Sequence, residues 1–378
     1  LRIRLIMVFN RKKFEQQFET EFAKRVHAEY AISFSYGRNA LFTLIKALRL
    51  ESREIIIPAF TCSSIPEAII KAGANPILVD VDDSFTIDPR EVEKKISART
   101  KAIYVIHTFG NPANINKLIK IAKDNKLLLI EDVAHALGSK YDQTLVGGFG
   151  DFALYSLTKN MYNFGGAVIT TNNVEVKEKL IELRNKYENK ARFSLSTLYF
   201  PLFRFIASFW DSRGNRLARR VILNAKRTVN LFSSKEAADS NLFPHFRMGY
   251  LSSKLALSQL NNLDTHNSKR KKLAKLFQEQ KFKDQKVLPF SEPVYTYYPF
   301  LLNSRLKNKI NVVSNIKLMP VWGCYHQRKD YIKQHGPQGF PITEKLCKNL
   351  SIVSCSPTYQ LKEARRLANI IKTDNQGR

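Results

Sequence analysis

The stretch from Leu127 to Thr171 constrains the fold more than any other part of this 378-residue chain. It begins with four apolar residues that end in two acids, Glu131 and Asp132. A buried strand that ends in carboxylates places negative charge at the mouth of a parallel sheet. A glycine-rich segment, 147–150, follows, and a second apolar strand then leads to Lys159. The stretch therefore predicts two strands that bring an acid and a lysine to one edge of a sheet.

These two side chains suggest a specific chemistry. A lysine between apolar residues can lose its charge by desolvation, and its neutral amine is then a nucleophile. A nearby carboxylate can hold the protonated ring nitrogen of pyridoxal 5'-phosphate (PLP), and these are the groups that a protein supplies to PLP. The alternative is that Asp132 caps a loop and Lys159 is a solvated surface lysine. From these two residues alone, both interpretations stay open.

Strands and helices alternate along the first half of the chain. Such alternation predicts a mostly parallel α/β sheet with right-handed crossovers. The predicted strands are 30–35, 54–59, 75–81, 101–108, 127–130, 152–157 and 167–171, and the predicted helices include 11–27, 89–96 and 115–125.

A glycine turn at Gly37 opens a further helix directly after the first predicted strand. Free backbone N–H groups and the positive end of the helix dipole make such a turn suitable for a phosphate group. The next residue is Arg38. Its guanidinium could contact that phosphate or point to solvent, and the sequence leaves both open.

Taken in order, these motifs resemble the DegT/DnrJ/StrS sugar aminotransferases, a PLP-dependent branch of the fold type I aminotransferases. The resemblance covers most of residues 12–375, is strongest over 30–170 and is weakest over 187–240. The motifs that carry it are EDVAHALG at 131–138, GGFGD at 147–151, SLTK at 156–159 and the glycine pair at 165–166.

The resemblance implies a role for each matching residue. Lys159 is the catalytic residue and carries PLP as a Schiff base, and Asp132 pairs with the pyridinium nitrogen. His135 lies against the cofactor ring or its 3-oxygen, and Ser156 contacts the phosphate. The turn at Gly37 cradles the same phosphate. The resemblance implies no metal ion.

Three positions depart from the family pattern. Cys62 stands where the family often has an aromatic residue that stacks on the cofactor, so Phe60 is expected to pack instead. The segment 163–166 is one residue shorter than its family counterpart and lacks a glutamate. His245 occupies the position of an asparagine that reaches the phosphate of the other subunit's cofactor, and it could still donate a hydrogen bond.

The resemblance also implies the domain organisation. A large PLP-binding domain over 12–240, built on a seven-stranded sheet, would carry a basic aromatic insertion at about 187–235. Residues 241–375 would form a linking helix and a smaller C-terminal α+β domain. The linking helix is predicted over 250–281, with small-domain strands at 296–302 and 317–322 and a final helix at 361–372.

The net charge of +28 implies an anionic partner. Nucleic acid is not expected, because no zinc-finger spacing or RNA-binding aromatic motif accompanies the charge. Residues 193–227 combine aromatic residues with an arginine cluster, which suits a peripheral contact with a membrane surface. The alternative is that the segment packs on the partner subunit and that its arginines are solvated or bind substrate phosphates.

The cysteine content indicates a reducing compartment. Four cysteines without a CxxC pair do not form a disulfide framework in a chain of this length. The apolar segment 1–9 has no small-residue cleavage site after it, so we expect no signal peptide. We therefore expect a cytoplasmic protein, with any membrane contact at the inner face.

The function that the resemblance implies is transfer of an amino group from an amino acid, usually glutamate, to a phosphorylated or nucleotide-linked keto sugar. The pathway would be that of lipopolysaccharide, another cell-surface polysaccharide or another aminosugar. A homodimer is implied, because the segment around His245 would complete the neighbour's site. One alternative is a PLP-dependent sugar dehydratase, although these relatives have a histidine in place of the lysine. The other is a membrane-associated scaffold that has kept the fold and lost turnover.

Overall fold

The structure is a computed structural model of the 378-residue chain. It describes residues 2–163, 165–190, 246–279, 285–302, 306–307, 310, 318–356 and 361–376. The predicted insertion therefore lies almost wholly outside the described residues, as does His245.

A seven-stranded sheet forms the centre of the molecule, with the strand order β1-β9-β8-β5-β4-β2-β3. Strand β9 is antiparallel to both of its neighbours, and the other neighbouring pairs are parallel. The strands are β1 (Tyr30–Phe34), β2 (Glu54–Pro58), β3 (Asn75–Val79), β4 (Thr100–Ile106), β5 (Leu128–Asp132), β8 (Phe152–Ser156) and β9 (Ala167–Thr171). The mostly parallel α/β sheet predicted from the sequence is confirmed.

Continuous apolar runs form these strands because both faces of the sheet are covered. In β2, Ile56 faces one apolar core, while Ile55 and Ile57 face the other. All three are fully buried. The helices that cover the two faces are α1 (Arg2–Val26), α2 (Gly37–Ala47), α3 (Ser64–Lys71), α4 (Pro89–Lys95), α5 (Ile115–Asp124) and α7 (Val174–Lys190).

Two smaller sheets complete the described strands. A hairpin, β6 (Lys140–Tyr141) and β7 (Thr144–Leu145), pairs with β10 (Ser291–Glu292). In the C-terminal part, β13 (Leu350–Ser354) lies between β11 (Tyr297–Leu301) and β12 (Met319–Pro320). The remaining helices are α6 (Leu157–Asn160), α8 (Tyr250–Leu260), α9 (Leu263–Gln278), α10 (Lys329–His335), α11 (Pro341–Asn349) and α12 (Leu361–Gln376).

Asp80, just after β3, ties the C-terminal part to the central sheet. Its carboxylate accepts hydrogen bonds from the backbone N–H groups of Ile342 and Thr343 and from the Thr343 hydroxyl, at 2.7–2.9 Å. These donors belong to the first turn of α11, where N–H groups lack partners within the helix. A carboxylate from the large sheet therefore caps a helix of the C-terminal part.

Two sequence predictions about helices were wrong. The single helix predicted over 250–281 is two helices, α8 and α9, which are separated by Asn261 and Asn262. Asparagine side chains compete with the helical backbone for hydrogen bonds, and this favours an interruption. Lys159 was predicted at the end of a strand, but it lies in the short helix α6 that follows β8. Among the described residues, no helix is long and apolar enough to cross a membrane.

Candidate active site

The predicted site residues that the structure describes lie at the edge where the parallel strands end. Asp132 is the last residue of β5 and pairs with Leu154 of β8, two residues before Ser156. Ala167 of β9 pairs with both Ser156 and Phe34, the last residue of β1. The phosphate turn at Gly37 follows Phe34 by three residues, so this edge carries both the acid and the turn. This placement follows from the sheet order, because β1, β5 and β8 run in the same direction.

Lys159 projects from α6 toward His135. Its Nζ lies 2.8 Å from His135 Nε2, and its side chain is half-buried. The helix is anchored by Asn160, whose side-chain amide donates to the carbonyl oxygens of Ala134 and Ser156. Burial lowers the pKa of Lys159, although the charge of Asp132 acts in the opposite direction. The environment therefore favours a neutral amine more than water does.

Asp132 is 4% exposed and is held by two donors. Tyr104 donates its hydroxyl hydrogen to Oδ2 at 2.8 Å, and the Ala134 N–H donates to Oδ1 at 2.8 Å. Burial raises the pKa of Asp132, while Lys159 and the two hydrogen bonds act against that rise. A buried carboxylate of this kind is stabilised by any cation that binds next to it.

His135 is 4% exposed and lies among aromatic rings. The ring of Trp322 stacks on it at 5.7 Å between centroids and 6° between planes. Phe109 stacks on it at 5.7 Å and 15°, and the edge of Tyr297 meets it at 5.6 Å. Burial, and then the charge of Lys159, lower the pKa of His135 well below its usual value. The imidazole is therefore neutral around pH 7.

The two elements predicted to contact a phosphate are the first turn of α2 and the end of β8. The residue before α2, Tyr36, makes no capping hydrogen bond with its side chain. Ser156 Oγ, at the end of β8, lies 3.3 Å from Thr158 Oγ1 in the first turn of α6. Arg38 is exposed, and its guanidinium lies 5.5 Å from the centre of the Tyr36 ring. The Tyr36 side chain thus does not cap the first turn of α2, and Arg38 lies over the Tyr36 ring.

The glycine pair at 165–166 closes the site against β1. The Gly166 N–H donates to the carbonyl oxygen of Ser35 at 2.6 Å, and the Leu157 N–H donates to the Gly166 carbonyl oxygen. Gly166 has a φ of 109°, and a Cβ there would lie 2.8 Å from Leu157 Cδ1. Glycine is therefore required where the chain passes between β1 and the helix that carries Lys159.

Glu131 organises the glycine-rich segment rather than any ligand. Its fully buried carboxylate accepts hydrogen bonds from the backbone N–H groups of Gly147, Phe149 and Gly150 at 2.7–2.8 Å. His107 Nε2 lies 3.0 Å from the same carboxylate. His107 therefore has a structural role beside this segment.

Three residues of this site were not predicted from the sequence. Tyr104 lies inside β4, and a tyrosine in an apolar strand gives no sign of its partner. Phe109 stacks on His135, and Trp322 reaches the site from the C-terminal part of the chain. A tryptophan more than 150 positions from its contact carries no local signal. Phe60 is fully buried between Phe109 and Trp322, so the prediction that it packs is confirmed.

Of the positions that depart from the family pattern, Cys62 is described by the structure and His245 is not. Cys62 is half-buried and its Sγ lies 3.2 Å from Ser64 Oγ, close enough to Lys159 to influence its charge. His245 lies outside the described residues, so its predicted role stays a prediction. Within the described ranges, no group of three or more His, Cys, Asp and Glu residues could hold a metal ion.

Comparison with known proteins gives a family match over the first half of the chain. A family model described as the DegT/DnrJ/EryC1/StrS aminotransferase family matches residues 7–198, just over half of the chain. The dTDP-3-amino-3,6-dideoxy-alpha-D-galactopyranose transaminase of Aneurinibacillus thermoaerophilus is 40% identical over 182 residues, 46% of this chain and 50% of that protein. The chain spans about half the length of the curated relatives it matches.

Solved structures extend the likeness in fold to nearly the whole chain. The DegT DnrJ EryC1 StrS aminotransferase from Brucella abortus has a TM-score of 0.75 at 19% identity, over 99% of this chain and 96% of that one. The E coli GDP-4-keto-6-deoxy-D-mannose-3-dehydratase with bound hydrated PLP has a TM-score of 0.72 at 21% identity, over 95% of this chain and 91% of that one. At these identities the likeness concerns the fold.

Proposed function

The chain belongs to the DegT/DnrJ/EryC1/StrS aminotransferase family, and from this premise we propose that it is a PLP-dependent aminotransferase. It moves an amino group from an amino acid donor, glutamate in the usual case, to a nucleotide-linked keto sugar. The observation that carries the proposal is the contact of the Lys159 amine with His135 beside the buried carboxylate of Asp132.

The residues of the site fit PLP on structural grounds. Asp132 is a buried carboxylate whose pKa is raised by burial, and a protonated ring nitrogen is the kind of cation that would stabilise it. Lys159 offers an amine whose pKa is lowered by burial. The first turn of α2 and the hydroxyls at the end of β8 and the start of α6 offer donors for a phosphate at the same edge of the sheet.

Each residue would have a defined task. Lys159 would hold the cofactor through its amine, and Asp132 would bind the ring nitrogen. His135 would lie against the ring or its 3-oxygen, and Gly37 and Ser156 would bind the phosphate. When bound, PLP supplies an electron sink for the carbon that bears the amino group.

Proton transfer at that carbon is the task of this chain's own residues. The Lys159 amine, which burial keeps neutral more readily than water does, would accept the proton from the carbon that bears the donor's amino group and would later deliver a proton to the sugar carbon that receives that group. Asp132 would favour a protonated ring nitrogen by placing a negative charge next to it. The aromatic rings around His135 exclude water from this side of the site.

The finer aspects of the function are part of the proposal. We propose a homodimer in which His245 reaches the partner's cofactor phosphate. Arg247, two residues later, is held within its own chain by Glu15 and Asn185. The product would serve lipopolysaccharide or another cell-surface polysaccharide. The site would lie in the cytoplasm, and residues 193–227 would contact the inner face of the membrane or the partner subunit.

An assay of amino transfer tests the proposal. The purified protein with PLP and L-glutamate is offered nucleotide-linked 4-keto and 3-keto sugars, and the aminated sugar is detected by mass spectrometry. Formation of an aminated product that depends on Lys159 supports the proposal. A deoxygenated sugar instead of an aminated one would establish the dehydratase function. No product from any donor and acceptor pair, in a folded protein, would favour the scaffold.

A further inference from the structure

The hydrogen bond between Lys159 and His135 has a direction that the surroundings of His135 decide. Nζ and Nε2 lie 2.8 Å apart, and either atom could donate in isolation. The other ring nitrogen, Nδ1, faces the backbone N–H of Phe109 at 3.3 Å. A peptide N–H can only donate, so Nδ1 accepts with its lone pair. A neutral imidazole whose Nδ1 accepts carries its proton on Nε2.

We propose that the Phe109 amide is a positioning group that fixes His135 as the Nε2–H tautomer. His135 then donates to Lys159 and holds it as a neutral amine. An ammonium at Lys159 would place N–H against N–H across the 2.8 Å contact. An imidazolium at His135 would place a second N–H against the Phe109 amide. One backbone group therefore opposes both charged forms.

The direction of this hydrogen bond follows from the contacts alone, whether or not a cofactor binds. Only the use of the neutral amine, as the group that attaches PLP and moves protons, rests on the proposed function. A histidine that donates toward Lys159 also presents a donor to whatever oxygen later occupies that place.

Other groups around the pair act in both directions. Asp132 favours the ammonium form of Lys159, but its carboxylate is already bound by two donors. Burial of the imidazole favours its neutral form. The carbonyl oxygen of His135 accepts a hydrogen bond from Thr296 Oγ1 at 2.7 Å, which fixes the residue's backbone. The titratable groups near the pair are Asp132, Cys62, Tyr104 and Tyr297.

The turn that carries the Phe109 amide is built for this orientation. Phe109 has a φ of 61° and ψ of 6°, a left-handed conformation that is uncommon for a bulky residue. Its carbonyl oxygen accepts the N–H of Thr296 at 3.2 Å. The next residue, Gly110, has a φ of 105°, and a Cβ there would lie 2.1 Å from the Val294 carbonyl oxygen. The turn therefore packs tightly against the backbone of 294–296, just before β11.

His107, on the same turn, shows a parallel arrangement. The backbone N–H of Ala113 donates to His107 Nδ1 at 3.1 Å, and His107 Nε2 lies 3.0 Å from Glu131 Oε2. Here the partner of Nε2 is a carboxylate, which must accept. A backbone amide at Nδ1 thus accompanies an Nε2–H donor in both histidines, and this internal reference can be measured in the same experiment.

Nitrogen NMR of the cofactor-free full-length protein, labelled with 15N-histidine, tests the tautomer directly. Long-range correlations to the ring carbon protons distinguish protonated from unprotonated ring nitrogens, and His135→Gln assigns the signals of His135. We expect an unprotonated Nδ1 and a protonated Nε2 for His135 near neutral pH. An Nδ1–H tautomer, or an imidazolium, would overturn the proposal.

Two glycine variants test whether Phe109 is the cause. Gly110→Ala must displace the turn, because the new Cβ would overlap the Val294 carbonyl oxygen. Gly336→Ala is the matched control, since Gly336 also has a positive φ of 71° but has no neighbour within 4 Å of an added Cβ. We expect mixed His135 tautomers in Gly110→Ala only. An unchanged single tautomer in folded Gly110→Ala would refute the role of Phe109.

The pH dependence of lysine reactivity gives a second readout. Pyridoxal, which lacks the phosphate, is added to the cofactor-free protein, and the rate of formation of its visible band is followed against pH. Glutamine can accept from the Phe109 amide and donate to Lys159, whereas leucine can do neither. We expect the reaction rate of His135→Gln to rise with pH at the same midpoint as the wild type. We expect His135→Leu to have a higher midpoint and to react about tenfold more slowly at neutral pH. Equal midpoints for the two variants would contradict the proposal. The NMR experiment uses the cofactor-free protein, so its result does not depend on whether the protein binds PLP.

Discussion

At the scale of single residues, the candidate site depends on hydrogen bonds that connect buried titratable groups. Burial is the main cause of the shifted pKa values of Tyr104, Asp132, Lys159 and His135, and a neighbouring charge adds to or opposes each shift. Clusters of perturbed pKa values occur where proteins carry out acid–base chemistry. Two predictions follow from individual side chains of this group.

Removing the Tyr104 hydroxyl is expected to weaken catalysis without unfolding the protein. Tyr104→Phe deletes the 2.8 Å hydrogen bond to Asp132 Oδ2. A hydrogen bond to a charged group contributes about 1.5–3 kcal/mol, so we expect amino transfer to slow by at least about tenfold. Steady-state rates against a Tyr331→Phe control, whose hydroxyl lies 3.5 Å from Gln338, measure the effect. Equal rates for both variants would mean that Tyr104 has no influence on Asp132.

The buried neutral His135 is expected to make stability depend on pH. Its pKa in the folded protein is well below that of the unfolded chain, so the unfolded state binds more protons as the pH falls through about 6.5. Folding stability therefore decreases below that pH. At about pH 5.5 we expect this residue to cost on the order of 1 kcal/mol of stability relative to neutral pH.

Urea unfolding of the cofactor-free protein across this pH range checks the prediction. His135→Gln cannot titrate there, so its unfolding free energy should lack this part of the pH dependence. The same slope in both proteins would show that His135 is already protonated in the folded state or exposed to water.

At the scale of elements, one carboxylate sets the path of the segment between β5 and β8. Glu131 accepts three backbone N–H groups, from Gly147, Phe149 and Gly150. This segment must turn back so that β8 can pair with β5 and bring Lys159 to the edge that carries Asp132. Gly150 is required in it, because a Cβ there would lie 2.6 Å from the Leu129 carbonyl oxygen.

Glu131→Gln is expected to destabilise the fold. The amide group of glutamine would direct donors at backbone N–H groups and at His107 in a site with no exposure to water. Loss of a buried, charged acceptor costs on the order of 2–4 kcal/mol. The denaturation midpoint relative to Glu178→Gln, an exposed change on α7, measures this effect. Equal midpoints would mean that the segment keeps its path without the carboxylate.

Much at this scale could be predicted from the sequence. The apolar run at 127–130 indicated a buried strand, and the two acids after it marked where that strand ends. The run at 54–59 was correctly predicted as a strand. The break at Asn261 and Asn262 was missed, because helical periodicity continues on either side of it. The placement of Lys159 in α6 was missed for a similar reason, since a single helical turn leaves no periodic pattern.

At the scale of the whole molecule, the site is assembled from distant parts of the chain. Trp322, from the C-terminal part, stacks on His135, while Phe60 and Phe109 come from the loops after β2 and β4. Asp80 holds α11 of the same C-terminal part against the sheet. Contacts of this kind could not be predicted, because no sequence pattern near Trp322 indicates a contact with residue 135. Asp132, His135 and Lys159 were predictable because they lie in two motifs of one continuous stretch, 127–171.

Trp322 is expected to report cofactor binding. It is one of two tryptophans in the chain, and its ring lies 5.7 Å from that of His135. A cofactor held by Lys159 would absorb close to this ring, so we expect PLP to quench the tryptophan fluorescence of the wild type and of Trp210→Phe. Trp322→Phe should lose most of the quenching. Quenching that persists in Trp322→Phe would place the cofactor elsewhere.

The central claim is that Lys159 attaches PLP, and the visible absorption spectrum tests it most directly. Wild-type protein and Lys159→Ala are incubated with PLP, reduced with borohydride and digested, with Lys24→Ala as a control at an exposed lysine. The account predicts that the wild type and Lys24→Ala show a visible band that bleaches with glutamate. After reduction, both should carry a pyridoxyl group on the peptide that contains residue 159, and Lys159→Ala should show neither. A colourless wild type, or a label on another lysine that survives in Lys159→Ala, would contradict it.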